Sequence, residues 1–108
     1  MAYLILGQSA PAATTDTVVY TVPEDKETVV STLVVANNGT SSGTYRLHAV
    51  PAGGSVTQAG LLAPDTALPA KNADPLTWGI TLAAGDSIHA YCSSGDFAIN
   101  LFGVEQDV

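Results

Sequence analysis

Three features of this sequence predict an all-β chain, folded as a single antiparallel β-sandwich or jelly-roll-like barrel of about seven or eight short strands. Apolar residues recur at every second position through several segments, as in Tyr45, Leu47 and Ala49, or Phe97, Ile99 and Leu101. No window of about a dozen residues places them at helical spacing. Gly, Pro, Asn and Ser punctuate the chain at intervals of about 8 to 12 residues, the spacing of short strands joined by turns. Residues 14–108 are expected to form the sandwich, and residues 1–13 an N-terminal arm or its first strand.

The elements follow in order. Tyr3-Leu4-Ile5-Leu6 within Ala2–Gln8 is apolar and is followed by the flexible Ser9-Ala10-Pro11-Ala12-Ala13. Such a segment can serve as an ordinary first strand or pair with the sheet edge of a neighbouring chain. Asp16 to Val22 is a strand ended by Pro23, which has no N–H to donate, and it leads into the charged turn Glu24 to Glu27. Thr28 to Ala36 carries Val29, Val30, Leu33, Val34 and Val35 on both faces, so it is expected to be central and buried front and back. Asn37 to Gly43 suits a hairpin connection, since Asn and Gly accept the positive φ angles of tight turns.

Tyr45, Leu47 and Ala49 then alternate with Arg46 and His48, one face dry and one wet. Pro51 to Asp74 is irregular, with short strands expected around Gly60 to Ala63 and Thr66 to Leu68, and it suits a connection crossing between sheets. Leu76, Trp78, Ile80 and Leu82 share a face. The Ala83-Ala84-Gly85-Asp86 turn then leads into Ile88, Ala90 and Cys92, giving the strongest hairpin signal in the chain. Phe97 to Leu101 is the closing strand before a short acidic tail.

Composition limits function. Ten acidic residues against three basic ones give a net charge of −7, which repels phosphate backbones and anionic lipids, so neither nucleic acid nor membrane is expected as a partner. No apolar run approaches the ~20 residues of a spanning helix. The single cysteine excludes an internal disulfide, so packing must hold the fold. Charged residues make up 12% of the chain, about half the usual share for soluble domains. Such depletion suits a surface covered in an assembly, because charge is scarce at interface cores. The expected edge strands also lack the Lys residues that keep monomeric sheets from pairing.

No constellation announces chemistry, and neither enzymatic activity nor a cofactor is expected. Asp86, Ser87 and His89 supply the residue types of a hydrolase triad, but adjacent strand positions point to opposite faces, so they read as a turn Asp and two solvent-facing strand residues. His48 and His89, placed on outer strand faces, can meet across a sheet but have no third metal ligand. Glu24 to Glu27 lacks the spacing of a calcium loop. Asn38-Gly39-Thr40 fits a turn better than a glycan acceptor, Gly53-Gly54 lacks the Lys of a phosphate loop, and Cys92 shares the core face of Ile88 and Ala90.

Several stretches together carry a family resemblance: Leu6-Gly7-Gln8, Val19-Tyr20-Thr21-Val22-Pro23, Val30 to Val35 followed by Asn37, Ile80 to Asp86, and Asn100-Leu101-Phe102-Gly103-Val104-Glu105. The chain resembles the small structural proteins of tailed bacteriophages over nearly its whole length. Gly53 to Asp74 matches least, and Ala36 stands where a Cys is associated with that pattern. The resemblance implies a virion component: a head decoration or cement protein on the outer surface of the head, assembled in the host cytoplasm, trimeric, and bridging major capsid protein subunits. The alternative is a tail, baseplate or fibre component that contacts other tail proteins or host-surface glycans. That role would call for aromatic rings on exposed loops, whereas Trp78 is expected on a core face. Tyr3, Leu4, Ile5, Leu6 and Gln8 are the candidate interface residues.

Overall fold

The computed structural model describes residues 2–108, which form nine strands and one short 3-10 turn. In chain order the strands are β1 (Ala2–Ser9), β2 (Thr17–Thr21), β3 (Lys26–Asn37), β4 (Gly43–Val50), β5 (Leu61–Leu68), β6 (Asn72–Leu76), β7 (Ile80–Leu82), β8 (Ser87–Cys92) and β9 (Phe97–Asp107). Two antiparallel sheets result, as the alternating pattern predicts. A five-stranded sheet has the order β1-β9-β3-β6, with β7 also pairing β3, and a four-stranded sheet has the order β2-β8-β4-β5. No helix among the described residues is long and apolar enough to cross a membrane.

The core lies between the sheets and is built from the positions that period two selects. Val30, Leu33 and Val35 of β3 with Phe97, Ile99 and Leu101 of β9 face Tyr45 and Leu47 of β4 with Ile88, Ala90 and Cys92 of β8, all essentially buried. Polar groups inside this layer are paired, and no buried side-chain nitrogen or oxygen among the described residues is left without a partner. The Thr28 hydroxyl donates to the Tyr20 oxygen at 2.7 Å, and the Tyr20 O–H donates to Glu105 Oε2 at 2.8 Å, tying β2 to β3 and β9 across the sandwich. Burial, the largest influence, pushes the Tyr20 phenol up to about 12. Tyr45 O–H likewise donates to Asp74 Oδ2 at 2.8 Å, joining β4 to β6.

Several expectations are corrected, most for one reason: turn residues do not reveal whether the two strands they join pair with each other. The Asn37–Gly43 segment is not a hairpin, because β3 and β4 lie in different sheets. It is an arch, held by buried Asn37, whose Nδ2 donates to the carbonyls of Ser41 and Leu68 and whose Oδ1 accepts the Gly39 amide. The Ala83–Asp86 turn is also an arch, since β7 pairs with β3 whereas β8 pairs with β2 and β4. Asp86 fixes it by accepting the amides of Ala52 and Ala83. The expected strand through Leu76–Leu82 is two strands, broken at Gly79, whose φ of 68° only glycine adopts without strain. Trp78 therefore sits on a connecting loop and is 48% exposed rather than in the core.

Smaller corrections follow the same logic. The two short strands expected near residues 60–68 are one strand, β5, paired with β4, so the crossing to the other sheet comes at residues 69–71. The strand β3 is central but not buried on both faces, for Val29 points out and is half-exposed. The acidic tail belongs to β9, where the Asp107 carboxylate pairs with Lys26. The split at Gly79 and the merger into β5 cancel, and with the N-terminal segment as β1 the strands number nine.

Candidate functional site

The site worth building is a surface, the outer face of the five-stranded sheet together with its β1 edge. Register defines the face. Tyr3 stands opposite Val104, Val104 opposite Val29, and Val29 opposite Thr81. One step along, Ile5 stands opposite Phe102 and Phe102 opposite Thr32. Cross-strand partners share a face, so these residues form two adjoining rows. Tyr3 is 82% exposed, Ile5 53%, Val29 43% and Phe102 36%. The rows continue through Val34, Asn100 and Gln8, and then Pro75, Ala36, Ala73 and Ala98, none of them charged. At one end Glu27, beside Gln106, and Asp86 bring charge to an open groove otherwise lined by Val29, Thr81, Ala83 and Val104. Contiguous apolar surface of this kind marks a contact site more often than scattered exposed residues do.

The candidate residues of the N-terminal segment divide by face. Tyr3 and Ile5 belong to the exposed rows, whereas Leu4 and Leu6 turn toward the inner side, Leu6 packing on the core. Gln8 donates to Asn100 Oδ1 at 2.7 Å, so its amide is already engaged. The whole segment is strand β1, paired along its length with β9. At Gly7 it runs so close to β2 that an added Cβ would lie 2.7 Å from the Val19 carbonyl oxygen, and only a glycine permits that corner. Val29, Phe102 and Val104 were not singled out from sequence, since a strand with apolar residues on both faces reads as buried until a second layer is shown to be missing.

The four-stranded sheet presents a different outer face. Arg46 makes a two-pronged contact with Asp65, at 2.8 and 3.1 Å, and lies 4.6 Å over the Tyr91 ring. The pairing holds the exposed Asp65 carboxyl below its usual range. His48 and His89 do face each other across β4 and β8. Yet His48 is buried at 7% exposure rather than on open surface, in a hollow it shares with Val56, Thr57, Gln58 and Leu61. Among the described residues no three of His, Cys, Asp or Glu gather as metal ligands would.

Ser87 and His89 are brought together after all, and Asp16, not Asp86, completes the set. His89 contacts Ser87 Oγ through Nε2 at 3.1 Å and Asp16 Oδ2 through Nδ1 at 2.9 Å. This is the order of a Ser-His-Asp relay. Ser87 is nonetheless buried rather than solvent-facing, and it lies on a central strand whose amides are committed to β2 and β4. Together the three residues form a clasp that pins the start of β2 to β8. Cys92 is fully buried, which pushes its thiol up to about 11, far from a reactive thiolate.

Fold and surface together define a β-sandwich with paired polar groups on the outer face of one sheet, where Val18 and Leu61 are exposed beside them, and adjoining uncharged apolar rows on the other. Comparison of the chain with family models, with curated proteins and with solved structures found no match.

Proposed function

We propose that this protein is a non-enzymatic structural component of a tailed-bacteriophage virion, a head decoration protein that seats its apolar sheet face on major capsid protein subunits and bridges them. The observation that carries the reading is the uncharged outer face of the five-stranded sheet, with Tyr3, Ile5, Val29 and Phe102 exposed and Val104 half-buried between Tyr3 and Val29. Taken with the resemblance to phage structural proteins, that face supplies a mechanical role. Each copy adds buried apolar area between neighbouring subunits, at about 25 cal/mol per Å² removed from water, and so resists forces that part them. The excess negative charge suits a protein on the outside of a shell, where it meets no DNA.

Trp78 favours a second reading. Exposed on the loop between β6 and β7, it is the aromatic presentation that a tail or fibre component would use to stack on a host-surface glycan. Antibody labelling of source particles under the electron microscope separates the two. Label over the head is the expected result, label confined to the tail would replace it with the second reading, and particles without label would end both.

A further inference from the structure

We infer that two copies of this chain pair through β1, antiparallel about a two-fold axis at Leu4, joining their five-stranded sheets into one continuous sheet. The first reason is an asymmetry among the edges. The edge strand β5 carries Pro64 and Asp65, and β6 carries Asp74 and Pro75. Proline and charge are the devices by which edges are kept from pairing. The β7 edge is three residues long, and β2 is five residues long, bulged near Val19 and preceded by Asp16. Only β1 among these edges offers eight residues with neither proline nor charge.

The second reason is register. From Gly7 onward β1 is tucked against β2, which leaves Ala2–Leu6 as the open stretch. A two-fold axis at Leu4 uses that stretch and no more. It sets Leu4 against Leu4, Ala2 of each copy against Leu6 of the other, and Tyr3 of each against Ile5 of the other. The two Tyr3–Ile5 pairs related by the axis are aromatic-to-β-branched contacts on the exposed face, the kind of cross-strand pair that stabilises sheets. Shifting the axis toward Gly7 would drive the second copy into β2.

The third reason is charge. A net charge of −7 opposes self-association nearly everywhere, yet no charged side chain occurs from Ala2 to Thr15. Two acidic copies repel least where β1 meets β1. The pair would also carry the rows of Tyr3, Ile5, Phe102, Val104 and Val29 across the axis as one doubled neutral surface. It does not depend on the virion reading, and it replaces the three-fold assembly that the resemblance implies with a two-fold one.

Sedimentation velocity on the full chain tests it. The parent protein is expected at the mass of two chains with an unfolding midpoint that rises with protein concentration, and Ile5→Lys at the mass of one with the circular dichroism spectrum of the parent and a midpoint independent of concentration. In a second measurement, Leu4→Cys oxidised in dilute solution is expected to give a disulfide-linked dimer, because directly opposed residues bring their Cα atoms within about 4.5 to 5.5 Å. Val56→Cys, in the exposed loop between β4 and the 3-10 turn, serves as the control, and buried Cys92 does not compete. A monomeric parent, a three-chain mass, a dimer untouched by Ile5→Lys, or cross-linking at position 4 no faster than at position 56 would each overturn the pairing. If Ile5→Lys fails to fold, the cross-linking comparison decides alone.

Discussion

The two sheets of this sandwich solve the same problem on their inner faces and opposite problems on their outer ones. Inside, both present alternating Val, Leu, Ile and aromatic side chains to a shared core. Outside, the four-stranded sheet closes its polar groups on one another, Arg46 with Asp65 and Tyr91, His89 with Asp16 and Ser87, and exposes Val18 and Leu61 only at its two edge strands. The five-stranded sheet instead leaves Tyr3, Ile5, Val29 and Phe102 uncovered and uncharged. A face whose polar groups are mutually satisfied is complete in water, and one of exposed apolar rows gains free energy by being covered. Contact with a partner is therefore favoured on the five-stranded side of the molecule.

That comparison can be broken at the core first. If the inner layer is shared equally, Leu101→Ala in β9 and Leu47→Ala in β4 should each cost about 2–5 kcal/mol in urea unfolding. A cost under ~1 kcal/mol for either would mean that one sheet carries the core alone. Next in size is Gly103→Ala. A Cβ there would lie 2.0 Å from the Val29 carbonyl oxygen, at the irregularity where β9 bends along β3. A loss of about 1–3 kcal/mol or more is expected, while Gly95→Ala, which meets open space, should stay within ~0.5 kcal/mol.

The buried phenol bridging the sheets gives a pH test. Tyr20 keeps its proton to about 12 in the fold, against 10.0 when free. The unfolded chain therefore ionises first as pH rises, so stability is complete below pH 10, falls above it, and this contribution is gone by about pH 12. Unfolding midpoints taken across that range, with tyrosinate absorbance followed in parallel, check it, and ionisation of all four tyrosines near pH 10 without unfolding would contradict it.

The smallest effects sharpen the contrast between the outer faces. Asp16→Asn should loosen β2 by roughly 0.5–1.5 kcal/mol, because it weakens the clasp through His89. Tyr3→Ser should change stability by no more than ~0.5 kcal/mol, since the ring is mostly in solvent, while reducing attachment to particles in a co-sedimentation assay. Equal attachment by both variants would remove the functional distinction between the faces.

Much of the fold was legible. Cys92 on the core face, the Phe97–Leu101 alternation and the absence of helices all follow from period two and from where glycine and proline fall. The candidate site was half legible: Tyr3 and Ile5 belong to an apolar run that charge patterning isolates, but Val29, Phe102 and Val104 sit among buried neighbours and look the same as them in sequence. Trp78 misled for the converse reason. It keeps the alternation of Leu76 and Ile80, and only the positive φ at Gly79 throws it outward.

Local periodicity and composition were enough to give an all-β chain, the inward alternation of Tyr45 and Leu47, of Ile88, Ala90 and Cys92 and of Phe97, Ile99 and Leu101, and the low charge of the whole. The tertiary structure alone decided that Asn37–Gly43 and Ala83–Asp86 are arches between sheets, that Asp16 rather than Asp86 meets His89, that His48 is covered, and which apolar residues remain outside. The physical reason is that a turn's residues fix only how the chain reverses. Hydrogen-bonded partners and the side of a strand that a second layer covers are set by contacts between segments far apart in sequence.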